Sequence, residues 1–330
     1  MKPHGWIIVD KPLELGSTQA VGAVKRNLRE AGLLGKGKSK LKVGHGGTLD
    51  PLATGVLPIA IGEATKLCGR MLDASKVYEF TIAFGCETET LDAEGVATKE
   101  SDHRPTLEQL ESILPQFTGA IEQIPPKYSA LKIDGKRAYD LARAGVEVEM
   151  KVRRVEIFAL TVSPEPAEGR HPAERGASTG SAQTGFVESV TLTATVSKGT
   201  YIRSLARDIA RALGTVGHVS MLRRTKAGPF TLKHAISLDK LDEIGKGADI
   251  KDYLLPLEAG LDDIPAFDLT PDQAGKLRQG LTLDEHELIG TPPRTAVVDG
   301  LFLATENAGS PVALAELVDG TIRVVRGFNI

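Results

Sequence analysis

The sequence predicts an α+β protein, with a mixed body over residues 1–260 and a small β-rich domain over residues 265–330. Three patterns lead there. Segments of strict apolar–polar alternation mark half-buried strands, segments with apolar residues four apart mark helices, and Asp-Gly pairs divide the last stretch into short apolar runs.

Trp6-Ile7-Ile8-Val9 reads as a buried strand ended by Asp10-Lys11-Pro12. Ser17 or Thr18 is placed to cap a helix from about Gln19 to Ala31. Residues 32–42 are rich in Gly and Lys and read as a mobile basic loop. Beyond a glycine-rich segment, Val56 to Ile61 is extended and Glu63 to Leu72 is helical. From Val77 to Phe84, Tyr78, Phe80, Ile82 and Phe84 fall on one face of a strand, with Glu79, Thr81 and Ala83 on the other. Leu107 to Phe117 forms a helix that leads into the turn Ile124-Pro125-Pro126.

Residues 164–185 are dominated by Gly, Ser, Ala, Pro and Glu and hold almost no large apolar side chain. Such a segment cannot offset the entropy of ordering, so it reads as a flexible insertion between two strands. Val190 to Val196 alternates again, and Ser204 to Leu213 places Leu205, Ile209 and Leu213 on one helical face. A boundary falls near Asp262-Asp263-Ile264-Pro265. Beyond it come the apolar runs Thr295–Val298, Leu301–Ala304, Val312–Val318 and Ile322–Val325, with turn signals at Asp299-Gly300 and Asp319-Gly320.

The chain carries 330 residues, 41% hydrophobic and 25% charged, which suits one large domain or two smaller ones. No apolar run approaches the roughly 18 residues of a membrane helix, and Trp6–Val9 is too short for the apolar core of a secretory signal. The two cysteines, Cys68 and Cys86, fit a reducing compartment, so a cytoplasmic protein is expected. Net charge is only −3, but its distribution is uneven. Lys25, Arg26, Arg29, Lys36, Lys38, Lys40 and Lys42 face one Glu30. Lys198, Arg203, Arg207, Arg211, Arg223, Arg224 and Lys226 face one Asp208. From Ile236 to Leu288 the balance reverses, with 13 acidic and five basic side chains. Two readings stand for the basic stretches: a one-sided face for a polyanion, or ordinary solvated surface.

The chemistry narrows around three residues. Four glycines and a proline in the segment Gly44 to Gly55 exclude a helix interior and demand a constrained loop. Its only acid is Asp50. Pro51 holds Asp50 extended, either as a plain turn former or as a carboxylate aimed into a cleft. Arg203 lies at a strand-to-helix turn, where the helix dipole disfavours a cation: it is either an exposed surface arginine or one relieved by a partner carboxylate. Tyr78 is a core tyrosine or a platform on which a base stacks, and Tyr201 carries the same two readings. No histidine pair has metal-ligand spacing and no Gly-x-Ser-x-Gly setting occurs, so a metalloenzyme or serine hydrolase is not expected. What remains suits work by one Asp on an electrophilic sugar or base, with no cofactor and no metal.

At these residues the sequence resembles the bacterial TruB family, the tRNA pseudouridine-55 synthases. The likeness runs through Val9-Asp10-Lys11-Pro12, Gly44-His45-Gly46-Gly47-Thr48-Leu49-Asp50-Pro51-Leu52-Ala53-Thr54-Gly55 and Gly62-Glu63-Ala64-Thr65-Lys66. It continues in Lys76-Val77-Tyr78, Gln123 to Lys132, Ser197 to Arg203 and His218 to Arg224. The resemblance implies isomerisation of one T-loop uridine of tRNA, with the base flipped out of the loop, because its reacting atoms are inaccessible while stacked. It implies Asp50 as nucleophile, Tyr78 stacked on the flipped base, and Arg203 paired with Asp50. It also implies His45, Tyr201 and Leu222 in the nucleotide pocket, and places Lys11 with the substrate-binding residues. The implied fold is a mixed, largely antiparallel sheet with flanking helices (the pseudouridine synthase fold) and a small C-terminal PUA-like RNA-binding domain. A monomer acting on the tRNA T-stem-loop is expected, with no membrane and no obligatory protein partner. Loop 32–42 and insertion 164–185 exceed the family pattern. Two other functions remain compatible with the residues, a non-catalytic RNA-binding or RNA-folding protein and a synthase acting on another RNA. The order in which Asp50 makes and breaks bonds stays open.

Overall fold

The computed structural model describes residues 2–37, 40–163, 185–288, 300–307 and 309–330. The tip of the basic loop at Lys38 and Ser39, the insertion up to residue 184, the run Thr295–Val298 and Asp299 of the first turn signal lie outside the described residues.

Ten strands among the described residues form one mixed sheet. Across it run Ala235–Ile236, Gly5–Lys11, Ala53–Ile61, Gly217–Ala227, Lys76–Phe84, Ser189–Val196, Arg153–Val162 and Gly119–Gln123, with two short strands, Val43–His45 and Phe230–Thr231, paired at its flanks. Two pairings are parallel, Gly5–Lys11 with Ala235–Ile236 and Ala53–Ile61 with Gly217–Ala227; the other pairings in this sheet are antiparallel.

The strand Ala53–Ile61 is buried along almost its whole length, because both faces are covered. Leu57, Ile59 and Ile61 meet Val21, Val24 and Leu28 of the helix Ser17–Glu30 together with Leu241 and Ile244 of the helix Leu238–Gly245. Val56 and Ala60 point the other way, into a cluster around Trp6 and Phe230. The alternating strands behave as their period demands: Phe80, Ile82 and Phe84, with Val190, Leu192, Ala194 and Val196, pack under Leu205 and Ile209 of the helix Ile202–Ala212.

A second sheet of five strands runs Ala266–Leu269, Gly300–Glu306, Ser310–Val318, Thr321–Gly327 and Leu283–Asp284. Asp319 and Gly320 both take positive φ, 50° and 73°, and join two of these strands in a two-residue turn. This sheet has its own core around Phe267 and Phe302, and it lends Leu303, Leu314 and Phe328 to the Trp6 cluster of the larger sheet.

Two expectations need correction. Ser17 does not cap its helix; Gly16 holds that position, and the Gln19 side chain closes the turn by accepting from the Gly16 N–H at 2.7 Å. The Ser17 hydroxyl is spent elsewhere, on the backbone of Leu49. The described parts of the basic loop are anchored: Leu34 and Leu41 are buried and joined by a 2.8 Å backbone hydrogen bond, because the 32–42 segment tucks two apolar side chains into the core.

Candidate active site

The glycine-rich segment leaves the strand Val43–His45 and returns in Ala53–Ile61, so both ends of the loop are pinned to one sheet. Its path is fixed by side chains from distant elements. The Ser17 hydroxyl donates to Leu49 O at 2.9 Å and accepts from Leu49 N at 2.8 Å. Arg224 donates to Gly47 O, Thr48 O and Val56 O at 3.2, 3.1 and 2.8 Å. The buried Leu49 side chain anchors the turn just before Asp50. Gly55 is required by close approach: its φ is +102° and an added Cβ would lie 2.2 Å from Arg224 O.

Asp50 emerges from this loop with its side chain 45% exposed and meets Arg203, which is 6% exposed, at 2.7 Å. The other end of the guanidinium holds the buried Asp92 at 3.1 Å. Arg203 also donates to Thr90 O at 2.8 Å and Tyr128 O at 2.9 Å. One arginine thus joins four chain segments, with its planar fork matched to two carboxylates. Asp92 is fixed in turn by the Thr90 hydroxyl and the Glu94 N–H. The helix start that carries Arg203 is tied down by Gln123, whose side-chain oxygen accepts from Tyr201 N at 2.8 Å, and by Ile124 O, which accepts from Ser204 Oγ.

In front of Asp50 opens a cavity of about 300 Å³ lined by Tyr78, Tyr201, Leu222, Arg203, Lys76 and Arg224, among others. That volume suits a small ligand group such as a single base with its sugar. Tyr78 is half-buried at a register position opposite Arg224 and Ala194, so it is both packed against the core and open to the cavity. Burial pushes the Tyr201 phenol up from its ordinary value. Asp50, Tyr78, Arg203, Tyr201 and Leu222, expected from sequence, therefore share one cavity. His45 does not line it: it sits half-buried on Val43–His45 and faces a different concavity with Thr18, Lys42 and Cys68. Burial, followed by the charge of Arg224, holds its imidazole below the usual value.

Lys11 corrects its expected role. It is fully buried and its ammonium is spent on Pro12 O, Leu15 O and Pro51 O at 2.9, 2.7 and 3.1 Å, so it cannot reach a substrate. It fixes the glycine-rich loop by holding the residue after Asp50. Lys11→Met should leave three buried carbonyls short of a donor and lower stability by about 1–3 kcal/mol. It should also lower turnover more than RNA affinity, a split that rate and binding measurements on the same variant would read.

The basic stretch Lys198 to Lys226 divides between interior and surface side chains, with Lys198 and Lys226 exposed. Arg203 and Arg224 are interior. Arg211, Arg207, Arg223 and Lys198 are engaged by Glu87, Asp208, Asp10 and Asp73. Sequence reasoning also missed Asp92, Lys76 and Gln123. Asp92 had one local signal, an acid in a Gly-containing turn after Leu91, which takes a φ of 64°.

Residues 35–202 match the model of TruB family pseudouridylate synthases (N-terminal domain), and residues 203–262 match that of the tRNA pseudouridylate synthase B C-terminal domain. The chain belongs to the TruB family. A relative from Novosphingobium aromaticivorans named tRNA pseudouridine synthase B is 61% identical over 326 residues, covering 99% of this chain and 97% of the relative. One of the same name from Zymomonas mobilis is 54% identical over 329 residues, covering 99% and 96%. Among solved structures, an H/ACA ribonucleoprotein bound to a substrate RNA containing 2′-deoxyuridine matches with a TM-score of 0.69 at 22% identity, over 99% of this chain and 85% of that one. An archaeal box H/ACA Nop10-Cbf5 complex matches at 0.66 and 21%, over 98% and 86%. At that identity these structures speak for the fold, and the large mixed sheet with flanking helices is the pseudouridine synthase fold. Among the described residues no cluster of His, Cys, Asp or Glu could hold a metal ion, and no helix is long and apolar enough to cross a membrane. As a TruB family member, the chain has its semi-exposed acid at the mouth of a base-sized cavity, which is the arrangement a pseudouridylate synthase needs.

Proposed function

We propose that this TruB family member isomerises the T-loop uridine of tRNA to pseudouridine, with Asp50 as nucleophile, Arg203 as its partner and Tyr78 as the platform for the flipped base. The observation that carries this reading is the 2.7 Å Asp50–Arg203 pair facing a cavity lined by Tyr78, Tyr201 and Leu222. Tyr201 and Leu222 confine the nucleotide, and His45 acts on the flipped conformation from beside the loop. Residues 1–260 supply the catalytic body and residues 265–330 a PUA-like RNA-binding domain. The enzyme works as a cytoplasmic monomer without cofactor or obligatory protein partner. Near-full-length identity of 61% to a protein named for tRNA supports tRNA as the substrate over other RNAs.

The test is a bare T-stem-loop transcript incubated with the purified chain. Pseudouridine should form at the T-loop uridine and nowhere else. A transcript that binds but is never modified would leave the RNA-binding reading standing in place of this one.

A further inference from the structure

Lys11, Lys76 and Arg224 are 0%, 7% and 1% exposed, and all three lie around the catalytic loop. Among the described residues none of the three forms an ion pair with a carboxylate. Each is held by three main-chain carbonyls instead. Lys76 donates to Met71 O, Leu72 O and Ala74 O at 3.1, 2.6 and 2.6 Å. A buried cation without a counter-charge costs stability. Two of the three, Lys76 and Arg224, line the cavity beside Asp50 and Tyr78. Arg203 adds little positive field there, because Asp50 and Asp92 both bind it. The acid nearest in its effect on Lys76, Asp73, is already engaged by Lys198 at 2.9 Å. The cavity wall therefore carries two positive charges with no ion-pair partner among the described residues, fixed in place by carbonyl cages.

We infer that Lys76, backed by Arg224, stabilises the anionic uracil released during the reaction. The inference rests on the proposed function. As the Asp50 carboxylate takes C1′, the C1′–N1 bond breaks and its electron pair leaves with the uracil, spread over N1, O2 and O4. The base then turns, C5 bonds to C1′ as the Asp50 carboxylate leaves it, and the C5 proton is lost while N1 takes one up from water, so atoms and charge balance. Fixed cations beside the space that holds the base favour the step in which negative charge develops, and they need no reorganisation to do so.

Lys76→Gln removes the charge while keeping a side chain one atom shorter with two amide donors for the carbonyl cage; Lys76→Arg keeps the charge. Single-turnover release of the C5 hydrogen should fall by roughly 10²–10³-fold in the Gln variant, with RNA affinity unchanged, and the Arg variant should recover most of the rate. With a target 5-fluorouridine, whose base bears negative charge more readily, the deficit in glycosidic cleavage should shrink. A Gln variant at the wild-type rate overturns the role of Lys76, as does a deficit equal on both bases that tracks a lower melting temperature. Should the Gln variant fail to fold, the wild type decides. Burial, Arg224 and Lys198 pull the Lys76 ammonium down to about 8 against the opposing pull of Asp73. The rate should therefore decline above that pH at constant RNA affinity, and a flat profile to high pH overturns the inference. Wild-type enzyme that makes no pseudouridine would sink the proposed function itself, an outcome distinct from an active wild type with an indifferent Gln variant.

Discussion

Asp50→Asn should lower pseudouridine formation by roughly 10⁴-fold or more, the scale of loss when a nucleophile that acts with its partners is removed. The substitution is nearly isosteric, and its remaining carbonyl oxygen can still accept from Arg203. Asp50 is 45% exposed, so little buried surface changes and the fold should hold. Binding of the T-stem-loop should survive, since Tyr78, Tyr201 and Leu222 still line the cavity. Release of the C5 hydrogen reads the chemistry directly, and a filter or fluorescence titration reads binding. An Asn variant that turns over near the wild-type rate would remove Asp50 from the mechanism. Loss of binding in parallel with activity would instead mark Asp50 as a ligand of the RNA.

Arg203→Met has the largest expected effect on stability. The arginine is 6% exposed and carries two carboxylates and two carbonyls. Methionine fills similar volume but leaves Asp92, itself 6% exposed, as a buried carboxylate without its cation. Breaking a buried pair by removing one partner costs about 3–5 kcal/mol, which for a chain of this size corresponds to a fall in Tm on the order of 10 °C. Activity should disappear as well, because Asp50 loses the contact that aims it. Arg203→Lys should recover part of the stability and little of the rate, since one ammonium cannot span both carboxylates as the guanidinium fork does. Melting curves of the two variants against wild type decide the matter. A Met variant that melts with the wild type would show that the bridge contributes nothing to the fold.

Much of the molecule was legible in the amino-acid order. Alternation in Val77–Phe84 and Val190–Val196 predicted the strands that flank the cleft, because a period of two has one structural meaning when one face is buried. The glycine and proline content of the Asp50 segment excluded a helix and demanded a loop. The position of Arg203 near a helix start, where its charge is unwelcome, left a carboxylate partner as one of two readings, and the structure supplies Asp50 and Asp92. Resemblance to the TruB family then attached a chemistry to residues whose spacing alone left two readings open.

The tertiary structure alone decided which charged residues are interior. Lys11, Lys76 and Arg224 look in sequence like any solvated cation, and the run from Lys198 to Lys226 reads equally as a binding face or as solvated surface. Whether a basic side chain is solvated depends on what packs over it, and their neighbours come from segments far away in the chain. The carbonyl cages that hold Lys11, Lys76 and Arg224 leave no mark in sequence at all, since every residue carries a backbone carbonyl and only the fold determines which three converge. The amino-acid order therefore determined the strands, the loop and the single acid that loop carries. The convergence of distant backbone around buried charge determined how that acid is aimed and what field its cavity holds.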